Sequence, residues 1–371
     1  MKFTTTQQEL NKALAFVSKA VTVRSTMPVL KGILLSADDN GMLTMTASDM
    51  DLSIEKKMPV NVSEPGSTVL PARLFGDIIR KLPQENIEIS LEDYRNVSIR
   101  TSLSEFKIVG MPADEFPDIG TVEENRKISL NREIFKDMIR KTSFAASIDE
   151  SKGVIVGVLI EMKDGKVNMA ALDGFRMAVA TEETSSAPSD DIIISARILN
   201  EINKILSDSD DDENENVELI LDDKKAVILT EDSRIILRMI EGKFLKYRDL
   251  IPAEFKTVVH ADRNLLISSI ERASLLAKEG RNNLIRLSFA DDSLHITSKS
   301  EAGNVNENIP VKIDGENIEI GFNSKYLIDG LKVMKEDDII ICLNTNISPC
   351  IIRPAESENF TYLILPVRIM S

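Results

Sequence analysis

Three well-separated stretches of the chain carry apolar residues at helical spacing: "LPARLFGDIIRKL" (70–82), "SARILNEINKIL" (195–206) and "NSKYLIDGLKVM" (323–334). In the first, Leu74, Phe75, Ile78, Ile79 and Leu82 fall on one stripe, and in the second Ile198, Leu199, Ile202 and Leu206 do the same. Each spacing predicts a helix docked on a sheet with its charged side turned outward. The third stretch is less regular, with Gly330 at a core position and Ile328 on the polar side. Three more helices are predicted where a capping side chain precedes an amphipathic run: Thr6 before "QQELNKALAFVSKAV", Asn131 before "REIFKDMIRKTSFAA", and Asp262 before "RNLLISSIERASLLA". Such an oxygen satisfies orphan amides of the first turn. Between the helices, "VSIRTSLSEFKIVGM", "AVILTEDSRIILRMI" and "PCIIRPAESENFTYLILPV" alternate apolar and polar residues and break at turn residues. That period predicts antiparallel sheet, so the plan is α+β.

The same plan recurs at a fixed offset. Arg73, Asp77 and Arg80 match Arg197, Glu201 and Lys204 at 124 residues, and those match Lys325, Asp329 and Lys332 at 128. "MLTMTASDMDLSI" and "VNMAALDGFRMAV" keep the phase, with Asp49 matching Asp173, and Ser300 of "SLHITSKSE" stands where the acid was. A period this long means three copies of one domain, each with two helices on antiparallel sheets. Turn-rich segments place the limits at 1–125, 126–253 and 254–371.

Charge changes the picture of the helix faces. The net charge of −15 argues against a protein that coats nucleic acid by bulk attraction. Over the helical segments 7–24, 71–82, 131–143, 196–206, 262–281 and 324–335 the chain nonetheless holds 19 Lys/Arg against 9 Asp/Glu, where the whole chain has 45 against 60. Such segregation suggests one surface meant for a polyanion, acting at close range because exposed charges are screened beyond roughly 8 Å. The opening "MKFTTTQQEL" has no apolar core of a signal peptide, and no apolar run is long enough to span a bilayer. Cys342 and Cys350 are the only cysteines, which gives no disulfide framework; a cytoplasmic protein is expected.

No catalytic motif is present: no GxSxG, no Walker A loop, no GxGxxG. His260 and His295, the only histidines, have no cysteine or HExxH partner, so no metal or other cofactor is expected. "DSDDDENEN" (208–216) has Glu213 where a calcium loop needs glycine and reads as a solvated acidic loop. Four Tyr and no Trp give no stacking platform for single strands.

Over its whole length the chain resembles the bacterial DNA polymerase III beta subunits, the DNA sliding clamps. The motifs that carry this are "MPVLKGILL", "LPARLFGDIIRKLP", "MPADEFPDI", "AALDGFRMAV", "GKFLKYRDLIP" and "YLILPVRIM". The resemblance implies a non-catalytic processivity factor: a head-to-tail homodimer ring of the DNA-clamp fold, with helices lining the hole and no DNA-sequence preference. Twelve helices of about 10 Å diameter leave a hole of roughly 28 Å, wider than a duplex. Weak phosphate contacts then suffice, since topology does the holding.

Resemblance and phase together point inward-facing bases to Arg24, Arg73, Arg80, Arg197, Lys204, Lys325 and Lys332. The acids kept between them, Asp77, Glu201 and Asp329, are expected to temper the attraction. The resemblance also implies an apolar pocket for peptides of the replicative polymerase alpha subunit, the clamp loader and other proteins. Its wall would be Ile155, Leu172, Gly174, Phe175, Arg176, Met177, Leu245, Leu250, Pro349, Leu363, Ile364, Leu365, Pro366, Val367, Arg368 and Ile369. Phe175 stands where the family commonly has histidine, and Leu245 where it commonly has proline. At the dimer seam Phe106 and Ile108 would meet Leu275 and Leu276. Leu74, Leu103 and Glu105 replace bases common there, so apolar contact is expected to dominate. The competing readings are a three-domain peptide-binding scaffold that never meets DNA and, third, an acid-rich metal hydrolase.

Overall fold

A computed structural model describes residues 1–22, 25–120, 126–184, 190–208, 216–222, 224–230, 232–280 and 282–369. Six α-helices form where the periodicity places them: α1 Gln7–Val17, α2 Ala72–Lys81, α3 Arg132–Thr142, α4 Ala196–Asp208, α5 Arg263–Ala277 and α6 Ser324–Lys332. The three expected caps are made: Thr6 accepts from the Glu9 amide, Asn131 from Ile134 and Asp262 from Leu265. On α4 all four stripe residues are buried. On α2, Phe75, Ile78, Ile79 and Leu82 are buried, but Leu74 is 50% exposed, against expectation. Leu74 sits about a quarter-turn from the centre of the stripe the other four define, so it reaches the surface.

Gly330 has a packing reason. A β-carbon there would come within 2.3 Å of the Tyr362 ring, which lies fully buried against α6. The residue that looks irregular in the sequence is what lets an aromatic core residue approach the helix backbone.

The repeat is visible in fine detail. Asp49 Oδ1 accepts from the amides of Asp51 and Leu52, Asp173 Oδ1 from Phe175 and Arg176, and Ser300 Oγ from Ala302. The three in-phase residues therefore close the same hairpin turn by the same device. The first residue of each leading helix also reaches a carbonyl at the end of its companion helix or, in the third copy, in the segment that follows it. Gln7 donates to the Ile79 carbonyl (2.8 Å), Arg132 Nε to Leu206 (3.0 Å) and Arg263 Nε to Glu336 (2.7 Å). The first two bonds satisfy carbonyls their helix cannot pair internally, and the third ties down the segment after α6.

The described strands form antiparallel sheets of five, eight, nine and four strands. Sheets run on from one repeat into the next, and the chain divides into two compact units, residues 1–129 with 216–239 and residues 130–206 with 240–371. In the first unit, Leu52–Pro59 pairs with Ser233–Arg238, Ile54 opposite Ile235. In the second, Arg176–Glu183 pairs with Phe360–Ile364, Ala178 opposite Tyr362. Ile54 and Ala178 are separated by the same 124 residues as Asp49 and Asp173, and Ile235 and Tyr362 lie opposite Ile228 and Ile352, which are also 124 apart, so the two joints share one register. Two equivalent strands remain at sheet edges: Glu105–Val109 ends the five-stranded sheet and Gly303–Pro310 ends the four-stranded one.

Candidate functional site

The helix faces present the expected bases outward, so far as they are described. Arg73, Arg80, Arg197, Lys204, Lys325 and Lys332 are all exposed; Arg24 lies outside the described residues, as does most of the acidic run 208–216. Asp77 pairs with Arg80 (2.5 Å) and Glu201 with Lys204 (2.8 Å), one turn apart on each helix. The third copy departs from this. Lys332 pairs with Glu271 of α5 (2.7 Å), while Asp329 takes Arg176 (2.6 Å). The in-phase acid is therefore a helix-surface partner twice and a pocket support once. Nearby, Asp137 of α3 receives Arg140, Lys141 and Lys335; burial works against its charge, but those three bonds hold its carboxyl far below the usual range.

The residues expected to wall the pocket lie in the second unit, several of them around the turn at Asp173. Gly174 takes a left-handed conformation (φ 94°) that the tight hairpin requires. The turn leaves Phe175 54% exposed, while the Arg176 side chain is only 10% exposed. Arg176 Nε reaches Asp173 (3.1 Å), Nη1 reaches Asp329 (2.6 Å) and Nη2 the Phe144 carbonyl (3.0 Å). Its guanidinium lies 4.5 Å from the Tyr326 ring centroid and 5.3 Å from that of Phe144. Burial opposes this charge, but Tyr362, Asp329 and Asp173 outweigh it and hold the guanidinium above its ordinary value. Phe175 stacks on Tyr326 at 6.2 Å, and Tyr362 Oη donates to the Tyr326 carbonyl (2.8 Å).

Leu172, Met177 and Leu363 are buried in one apolar cluster, with Ile155 packed against it. Phe175, Leu245, Leu250 and Leu365 stay between 39% and 54% exposed around it. The Leu365 amide donates to the Phe175 carbonyl (2.8 Å) and the Val367 amide to Gly321 (2.8 Å), which fixes the tail that carries Pro366. Pro349 adjoins Cys350, whose register partner is Ile364. Two members of the expected wall face elsewhere: Ile364 is fully buried outside this cluster, and Arg176 supports the turn from beneath. Gly174 and Arg368 are exposed, and Ile369 is half-buried. Tyr326 and Phe144, which the sequence does not single out, and Asp329, expected only on the helix surface, pack around Arg176. Burial pushes both Cys342 and Cys350 thiols above their ordinary range, so neither presents a ready thiolate.

On the edge strand Glu105–Val109, Phe106 is 39% exposed and Ile108 is already buried, while on α5 Leu275 is 66% exposed and Leu276 half-buried. The neighbouring charges are engaged locally: Arg100 with Glu105 (3.0 Å), Lys107 with Glu92 (3.0 Å) and Arg272 with Glu307 (2.6 Å).

Three family models match the chain in succession: the DNA polymerase III beta subunit N-terminal domain over residues 1–120, its central domain over 129–246 and its C-terminal domain over 248–368. The chain is 34% identical to the beta sliding clamp of Bacillus subtilis over 381 residues, covering 99% of this chain and 100% of that protein. It is 33% identical to the beta sliding clamp of Synechococcus elongatus, covering 100% of both. Among solved structures, the Bacillus subtilis DNA polymerase sliding clamp superposes with a TM-score of 0.95 at 34% identity, and the Thermotoga maritima DNA polymerase III beta subunit with 0.92 at 27%, each over 100% of both chains.

Proposed function

The chain belongs to the DNA polymerase III beta-subunit family and is a DNA sliding clamp, and from that premise we propose that two copies close head to tail around duplex DNA. The observation that carries this is the shared register of the two internal joints. Hairpins 96–109 and 225–238 have the same turn length, Arg100 opposite Glu105 and Leu229 opposite Arg234, which makes Phe106 the equivalent of Ile235. Leu172 opposite Met177 corresponds to Lys299 opposite Asn304, which makes Val305 the equivalent of Ala178. The rule that sets Ile235 against Ile54 and Tyr362 against Ala178 then sets Phe106 against Val305 of the partner subunit. A second, symmetric joint closes the ring and removes both open sheet edges.

In that ring the six helices of each copy line the hole. Arg24, Arg73, Arg80, Arg197, Lys204, Lys325 and Lys332 supply sequence-blind phosphate contacts, and the excess of acid elsewhere keeps DNA from adhering outside. The repeats extend over 1–125, 126–253 and 254–371. The pocket of the second unit receives peptides of the replicative polymerase alpha subunit, the clamp loader and other proteins that share the clamp. The chain itself performs no chemistry and acts in the cytoplasm; no helix among the described residues is long and apolar enough to cross a membrane. A scaffold that never meets DNA is not favoured, since it leaves the recurrent bases without a role.

The seam rests on apolar contact, because the charges beside it are paired within the protomer. Phe106→Glu is expected to place an unpaired charge against Val305 of the partner subunit. Light scattering should then report the mass of one 41.3 kDa chain where the parent protein shows two. A dimer unchanged by this substitution would refute the register.

A further inference from the structure

Beside the pocket, Gly242–Asp249 encloses a cavity of about 480 Å³. Its floor is apolar: Leu159 and Ile193 are buried and Phe244 packs half-buried against their cluster. The acid nearest that floor is already neutralised, since Glu161 accepts from Arg248 (2.8 Å) and from Tyr247 Oη (3.1 Å). Asp191 and Asp249 also line the cavity. Lys243 and Lys246 line it too, and both are exposed. Neither makes an ion pair among the described residues, although the chain carries a net charge of −15. Between them in sequence stands Leu245, 52% exposed, which belongs at once to this cavity and to the rim of the peptide pocket. The apolar surface of the pocket thus continues into a second cavity with two unpartnered cations at its mouth.

We propose that this cavity is an extension site for partner peptides, taking one apolar side chain beyond the segment held in the pocket and reading adjacent Asp or Glu residues with Lys243 and Lys246. The inference rests on the peptide-pocket reading. Burial of one large apolar side chain with screened charge contacts is worth about tenfold in affinity. The charge part weakens as salt rises, because both lysines are exposed.

The test uses the full-length protein and three synthetic peptides: the clamp-binding segment of the polymerase alpha subunit alone, and the same segment with an Asp-Glu-Leu extension at either end. Fluorescence anisotropy should show one of the extended peptides binding about tenfold more tightly than the core. The double variant Lys243→Glu with Lys246→Glu should abolish that gain and leave the core affinity unchanged. Equal affinity of all three peptides for the parent protein, or an equal loss for core and extended peptides in the variant, would overturn the extension site while leaving the pocket intact. Failure of the core peptide to bind the parent protein would overturn both.

Discussion

Arg176→Met is expected to lower affinity for the core clamp-binding peptide about a hundredfold and to destabilise the protein by about 3–5 kcal/mol. The side chain is nearly buried and ties three separate segments together: the Asp173 turn, the Phe144 carbonyl and Asp329 of α6. Removing it strands the Asp329 carboxylate and the Phe144 carbonyl, and takes the cation from between two aromatic rings. The apolar stem of methionine fills the space but answers none of these groups. The Phe175–Tyr326 rim then loses its support from below, and the peptide site loses its shape. Arg176→Lys should recover little, since a single ammonium cannot reproduce the fork that meets Asp173, Asp329 and Phe144 together. Calorimetric titration and thermal unfolding read the two effects separately. Full peptide affinity in a folded Arg176→Met protein would refute the positioning role.

Gly330→Ala should destabilise the second unit, by about 1–2 kcal/mol net. Two terms oppose each other here. Alanine in a helix interior gains about 1 kcal/mol over glycine. Overpacking a filled site costs about 1–3 kcal/mol, occasionally more. The second term wins because the new methyl meets the Tyr362 ring itself at 2.3 Å, and that ring has nowhere to go. It is pinned by its hydroxyl to the Tyr326 carbonyl and flanked by Phe144 at 5.7 Å. Thermal unfolding should show a lowered midpoint for Gly330→Ala and a larger drop for Gly330→Val. An alanine variant as stable as the parent would show that Tyr362 can move aside.

The features legible in the sequence are those decided by neighbours in sequence. The caps at Thr6, Asn131 and Asp262, the turn oxygens at Asp49, Asp173 and Ser300, and the buried stripe of α4 each depend on residues within a few positions. Their recurrence at a domain-sized offset is what turned local patterns into three copies of one unit. Leu74 departs from its stripe because helical spacing gives angular position and not the width of the covering sheet. By phase alone Asp329 is another surface acid. Its partner, Arg176, is 153 residues away, and no local pattern announces such a pair. The same holds for Phe144 and Tyr326 in the pocket. The shared register of the joints, from which the seam is inferred, needed strand pairings that only the fold supplies.

A clamp that encircles DNA holds it by topology and not by affinity. The most direct measurement loads the protein with clamp loader and ATP onto nicked circular duplex DNA, washes at high salt, and follows retention before and after the circle is cut. Phosphate contacts weaken steeply with salt, whereas a closed ring on a circle has no end to leave by. The expected result is retention on the intact circle through the wash and rapid loss once it is linearised. Equal loss from intact circles and from linear DNA would show that no ring closes around the duplex.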